Sequence, residues 1–152
     1  MRSKHFLASL LSILTLTLSV EAEDSDSYIC VADQTTGFTF EQGTWKSTNF
    51  KEDRKFLFKR EVAQHDGPNW NSGDKIWSMS ELGQENSSML CSDKVNLSSG
   101  PIVLDDIVCH GFTNVKFNKK SLRVLLSYFV GFTDGDNNDN TPTITIGKCS
   151  KL

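Results

Sequence analysis

Histidine is scarce in this chain, basic residues are never massed, and several catalytic spacings are missing. Each shortage removes a class of function. Of three histidines, His5 lies in a leader described below, which leaves His65 and His110. No HxH or HxxxH pair exists, so a site with two imidazoles would depend on the fold to bring them together. No GxSxG turn offers a serine nucleophile to either histidine. No CxxC appears among the four cysteines, which argues against a zinc knuckle or a dithiol redox centre. Lys and Arg are interspersed with Asp and Glu at a net charge of −3, so nucleic acid is not an expected partner. The one basic run, "KFNKKSLR", reads as a solvated hairpin tip. No internal repeat and no convincing amphipathic helix stand out.

The start of the chain, "MRSKHFLASLLSILTLTLSVEA", has the parts of a secretory signal. Arg2 and Lys4 precede an apolar stretch from Phe6 to Val20, and Val20 and Ala22 offer small residues for cleavage after Ala22. The stretch is short and broken by Ser and Thr, and no second apolar run follows. Residues 1–22 are therefore expected to be a signal peptide, and residues 23–152 a single exported domain long enough to hold its own core. Loss of Arg2, Lys4 and Glu21 makes the mature net charge about −4, an ordinary solubility charge.

All four cysteines, Cys30, Cys91, Cys109 and Cys149, fall in the mature part. An even count in an exported chain points to disulfides and an oxidising compartment. Of three pairings, the preferred one joins Cys30 to Cys149, first strand to last, and Cys91 to Cys109 across a local loop.

The mature sequence is patterned as strands. "SYICVAD" alternates, "GFTFEQGTWKST" forms a hairpin about EQG, and "RKFLFKREV" and "KIWSMSEL" continue at period two. "AQHDGPNWNSGD" and "CSDKVNLSSGP" read as loops from their Gly, Pro, Asn, Asp and Ser content. "IVLDDIVCHGF" is strand-like. "VKFNKKSLRVLLSYFVGF" is two apolar runs around Asn118-Lys119-Lys120-Ser121, a hairpin whose return strand is expected over Leu122–Phe132. "TPTITIGKC" closes the chain. The expected fold is all-β, mainly antiparallel: a small disulfide-linked β-sandwich or β-barrel of 8–10 short strands. Alternation alone does not separate the two.

The densest collection of ligand-type side chains is "DGDNNDN", from Asp134 to Asn140. Asp134, Asp136 and Asn138 fall at alternate positions, with Asp139 beside them. A helix–loop–helix calcium site also needs Gly sixth and Glu twelfth, where this chain has Asp139 and Thr145, and its flanks are strand-like. A hairpin turn built on Asx chemistry is preferred, with weak calcium binding as the alternative and no other cofactor expected. Asp105-Asp106 could supply acid–base chemistry, but neighbours on a strand face opposite ways. Cys109 beside His110 is read as a disulfide half rather than a thiol nucleophile. Glu81 and Glu85 near Trp77 and Trp70 suggest sugar binding. The competing reading, that these tryptophans are core, is preferred. Two sequons, at Asn86 and Asn96, matter only in a eukaryotic setting.

The stretches "ICVADQTTGF", "FNKKSLRVLLSY" and "TPTITIGKCSKL" resemble a group of small exported bacterial proteins, also found in phage-related genomes. The likeness covers most of the mature chain. It rests on Cys30, Ala32 and Asp33 followed by Gly37-Phe38, on Trp45, on Phe117-Asn118 with Arg123 and Tyr128, and on Ile146-Gly147 before Cys149. The group carries no known activity. The resemblance implies a bacterial periplasmic or secreted setting, in which the sequons stay unmodified.

Two function classes follow. The favoured one is a non-enzymatic, monomeric binding module that takes a small ligand in a cavity between aromatic-rich strands or caps another exported protein as an inhibitor would. The alternative is a hydrolase of envelope polymer using a carboxylate or His110. A structural exported protein without a pocket is a third reading.

Overall fold

The computed structural model describes residues 26–84, 88–132 and 140–152. The expected signal peptide, Glu85 and the segment holding Asp134, Asp136, Asn138 and Asp139 lie outside the described residues. The described residues form nine strands and no helix. In chain order they are β1 (Ser27–Glu41), β2 (Thr44–Phe50), β3 (Lys55–Val62), β4 (Lys75–Glu81), β5 (Ser88–Leu97), β6 (Gly100–Cys109), β7 (Thr113–Asn118), β8 (Arg123–Tyr128) and β9 (Thr143–Lys151).

Every pairing is antiparallel, and β1 pairs with β9, so eight strands close in the order β1-β3-β4-β5-β6-β7-β8-β9. The result is an up-and-down barrel, which removes the exposed edges an open sheet would leave. β2 stands outside this ring. It pairs with the second half of β1 (Thr35–Glu41), whereas β3 pairs with the first half (Ser27–Val31). β1 and β2 thus project from the barrel as an arm. Trp45 holds that arm by ring contacts to Phe40 at 5.3 Å and Phe132 at 5.1 Å.

Asp33 is skipped in the β1–β9 register between Ala32 and Gln34. One extra residue reverses which side chains face inward. Tyr28, Cys30 and Ala32 are buried before it, and Thr35 after it. Gly147 lies opposite this bulge. A Cβ there would meet the Val31 carbonyl oxygen at 2.4 Å, so only glycine lets the closing seam come together.

The interior is filled by side chains. Phe56, Phe58, Trp77, Ile107, Val115 and Phe117 are each at most 1% exposed. Tyr28 packs edge-on against Phe117 at 4.9 Å, and Phe58 meets Phe117 at 5.1 Å. The cavity expected between aromatic strands is occupied by the aromatics themselves. Each of their large-to-small replacements would cost about 3–5 kcal/mol.

Both disulfides join directly paired residues, Cys30 to Cys149 across β1–β9 and Cys91 to Cys109 across β5–β6. This is the pairing preferred from the sequence. In the ring order the two seams lie on opposite walls, so each wall carries one staple between neighbouring strands. They close separations of 119 and 18 residues. Loop-closure entropy makes these worth about 5 and 3 kcal/mol respectively.

Two expectations are corrected. "CSDKVNLSSGP" is not a loop: Ser88–Leu97 and Gly100–Cys109 are strands, joined by a turn at Ser98 and Ser99. The return strand after Asn118 is shorter than expected and stops at Tyr128. The hairpin about Asn118 is as read, and the Asn118 carboxamide oxygen accepts from the backbone N–H groups of Lys120 and Ser121.

Candidate functional site

Each end of the barrel carries an ionic cluster that fixes its local geometry. At the end beside the β1–β2 arm, the Arg54 guanidinium donates to both Glu52 carboxylate oxygens at 2.9 Å and to Thr145 Oγ1 at 2.9 Å. Thr35 adds a hydrogen bond from its hydroxyl to Glu52. The Arg54 hydrogen bond holds the Glu52 carboxyl at about 2, against an opposing push from burial.

At the other end Asp93 points inward, and its side chain is 2% exposed. It accepts from Trp77 Nε1 at 2.9 Å, Lys119 Nζ at 2.7 Å and Arg60 at 2.9 Å. Burial pushes the Asp93 carboxyl up. Hydrogen bonds from Lys119 and Trp77, with the Arg60 charge, outweigh it and leave the group below its ordinary range. Arg60 also lies over the Trp77 ring at 4.5 Å. Lys119 is therefore no free charge on a solvated tip. It reaches from the β7–β8 turn into the barrel mouth.

Asp93 occupies the place where the β5–β6 seam opens. Ser92 pairs with Val108, but Lys94 pairs with Val103. The β6 residues 104–107 thus stand opposite Asp93 alone. Beyond the opening, Lys94–Leu97 and Gly100–Val103 form a hairpin of their own. The Cys91–Cys109 disulfide sits one rung inside it, next to the Ser92–Val108 pair.

This opening makes a groove on the outer wall of about 320 Å³, lined by Trp70, Leu90, Ser92, Val95, Leu104 and Val108 among others. Asp106 and His110 also line it. Trp70 comes from the β3–β4 loop, where the Gly67 N–H donates to the Trp70 carbonyl at 2.9 Å. A Cβ on Gly67 would lie 2.2 Å from the indole, so glycine is what lets the ring settle against the loop. The far side of Trp70 borders a second cleft of about 330 Å³, polar and lined by Asn69, Asn71, Asp74, Lys94 and Asn96. Both volumes fall in the range of small-molecule sites. Trp70 forms the ridge between them. Its Nε1 is buried without a hydrogen-bond partner among the described residues.

The sequence candidates are dispersed. His65 is exposed in the β3–β4 loop at one end of the barrel, and His110 follows β6 at the other, with Nδ1 3.3 Å from Asn114 Oδ1. Asp105 is exposed. Asp106 is bound to Lys116 at 2.9 Å and to the Asn118 amide at 2.7 Å, and these hold its carboxyl below the ordinary range. Cys109 is in a disulfide. Trp77 is core, as preferred, but Trp70 is not: it lies half-buried on the outer wall. Glu81 ends β4 at the end away from Trp70, so the less favoured carboxylate–tryptophan reading finds no Glu81–Trp70 pair, and its other carboxylate, Glu85, lies outside the described residues. Among the described residues no three His, Cys, Asp or Glu side chains gather as metal ligands, and no helix is long and apolar enough to cross a membrane.

A further hollow, of about 410 Å³, lies on the outer face near the arm. It is apolar and lined by Phe38, Phe129, Pro142 and Ile144. No protein-family model matches the chain, and no curated protein or solved structure is significantly similar to it.

Proposed function

We propose that the protein is an exported, non-enzymatic binding module of a bacterial envelope or secreted fraction, and that it binds with the outer wall around Trp70. The observation that carries this reading is the pair of clefts flanking Trp70 on a wall held by a disulfide and a buried ion cluster. Among the described residues the interior is packed with Phe56, Phe58, Trp77 and Phe117. Among the described residues neither histidine has a carboxylate hydrogen-bonded to it, and the partner of His110 is the Asn114 carboxamide.

Native mass spectrometry of the exported protein tests it, with unlabelled envelope extract as the ligand source. An adduct carried by the wild type and lost from Trp70→Ala, at unchanged melting temperature, is expected. An adduct kept by Trp70→Ala, or envelope-polymer hydrolysis abolished by His110→Ala, would overturn the proposal.

A protein partner is the second reading, favoured by the apolar hollow at Phe38, Phe129 and Ile144, whose side chains are each about half exposed. Phe38→Ser would then abolish complex formation while Trp70→Ala leaves it intact.

A further inference from the structure

We infer that the two clefts beside Trp70 form a subsite for a neutral oligosaccharide bearing acetamido groups, a proposal that rests on the binding-module reading. Three features of the surface combine to this end. The first is the half-buried indole of Trp70, which borders both clefts. A flat aromatic surface is a platform for the C–H face of a pyranose ring, which is apolar over an area of similar shape.

The second is the polar cleft on one side. Asn69, Asn71 and Asn96 place three carboxamides around it, and none of these side chains has a partner among the described residues. Each offers two donors and one acceptor. That matches sugar hydroxyls, which need both donor and acceptor within one short reach. Charge in this cleft is balanced, since Lys94 Nζ stands 3.9 Å from Asp74. A balanced cleft favours a neutral ligand over a phosphate or a polyanion, either of which needs uncompensated Lys or Arg.

The third is the groove that Trp70 also borders, where Leu90, Val95, Leu104 and Val108 make an apolar strip beside the polar Ser92, Asp106 and His110. A plain hexose lying on that strip would bury hydroxyls against Leu90, Val95, Leu104 and Val108 without partners. An acetamido substituent instead lays a methyl group there and keeps its amide toward Ser92 and Lys94 at the rim. One sugar over the polar cleft and the next beyond Trp70 would use both sides of the ridge.

The test is calorimetric titration of the oxidised, leader-free protein with chitotetraose and, separately, cellotetraose, which share a backbone and differ in the acetamido group. Chitotetraose is expected to bind with Kd on the order of 0.1–1 mM, as suits an open site, and cellotetraose at least tenfold more weakly. Trp70→Ala should abolish binding. Asn69→Ala and Asn96→Ala, both in surface positions, should each weaken it about three- to tenfold with the melting curve unchanged. Equal binding of the two sugars would overturn the acetamido assignment. Binding unaffected by Trp70→Ala and Asn96→Ala would overturn the location. If neither sugar binds but the native adduct still depends on Trp70, the saccharide class fails and the binding module stands. If that adduct is also absent, both fall.

Discussion

Asp93 is the residue whose loss should be felt most, and the structure sets the scale. Asp93→Ala removes the shared counter-charge of Arg60 and Lys119, whose side chains are 26% and 20% exposed. It also strands the Trp77 indole N–H inside the barrel. Breaking a buried ion pair from one side costs about 3–5 kcal/mol. Both cations retain some access to water and can turn outward, which places this case near 3 kcal/mol. The orphaned indole adds about 1 kcal/mol. A total of about 4 kcal/mol should lower the melting temperature of a domain this size by about 10–15 °C.

Lys119→Met leaves Arg60 on Asp93 and should cost about 1–2 kcal/mol. In the double variant the two losses should fall short of additivity by at least 1 kcal/mol, because Lys119→Met removes one of the two cations that Asp93→Ala leaves unpaired. Urea unfolding monitored by far-ultraviolet circular dichroism gives these numbers. An Asp93→Ala penalty below about 1 kcal/mol, or strict additivity with Lys119→Met, would refute the view that this cluster pins the barrel mouth.

Acid should weaken the other end. The folded Glu52 carboxyl is held at about 2, below its ordinary 4.5. It therefore stabilises the fold fully above pH 4.5 and loses that contribution as pH falls toward 2. After screening the effect is about 1–2 kcal/mol, and Glu52→Gln should flatten stability over that window in pH-dependent thermal unfolding. Cys91→Ser with Cys109→Ser should cost about 3 kcal/mol and Cys30→Ser with Cys149→Ser about 5 kcal/mol by urea titration; equal losses would contradict the loop-length argument. Gly67→Ala pushes a methyl into the Trp70 ring. It should shift Trp70 and weaken ligand binding at least fivefold in the calorimetric assay while moving the melting temperature by less than 3 °C, since the loop is exposed.

Much of the fold was legible because local chemistry and global pairing agree. The turn at Asn118 announces itself, since Asn caps its own hairpin and apolar residues flank it on both sides. The EQG turn does the same, with Gln42 and Gly43 both at positive φ. The stretch from Cys91 to Pro101 was misread because Ser, Asp, Asn and Gly suit loops. Asp93 nevertheless sits in a strand, since three donors from β3, β4 and the β7–β8 turn meet its carboxylate there. No one-dimensional pattern contains those meetings. Lys119 was hidden for the same reason, as a lysine beside a turn normally points to water. Barrel closure was invisible because it rests on the β1–β9 seam, where Gly147 and the skipped Asp33 act through close approach rather than through hydrophobic period. Trp70 carried one usable signal, a large aromatic residue inside the polar loop "HDGPNWNSGD". Its role as a ridge between clefts depends on a strand opening that the sequence does not display.

The place where a ligand touches the molecule decides between the outer wall and the interior. The three tryptophans report three places: Trp45 the arm, Trp77 the filled interior and Trp70 the outer wall. A proton–nitrogen correlation spectrum of uniformly labelled protein resolves their indole signals, and titration with a fragment mixture followed by chitotetraose reads all three at once. The Trp70 signal should move, with those of Trp45 and Trp77 fixed. Movement of Trp77 would place the ligand inside the barrel and contradict the account, and so would a Trp70 signal that nothing displaces.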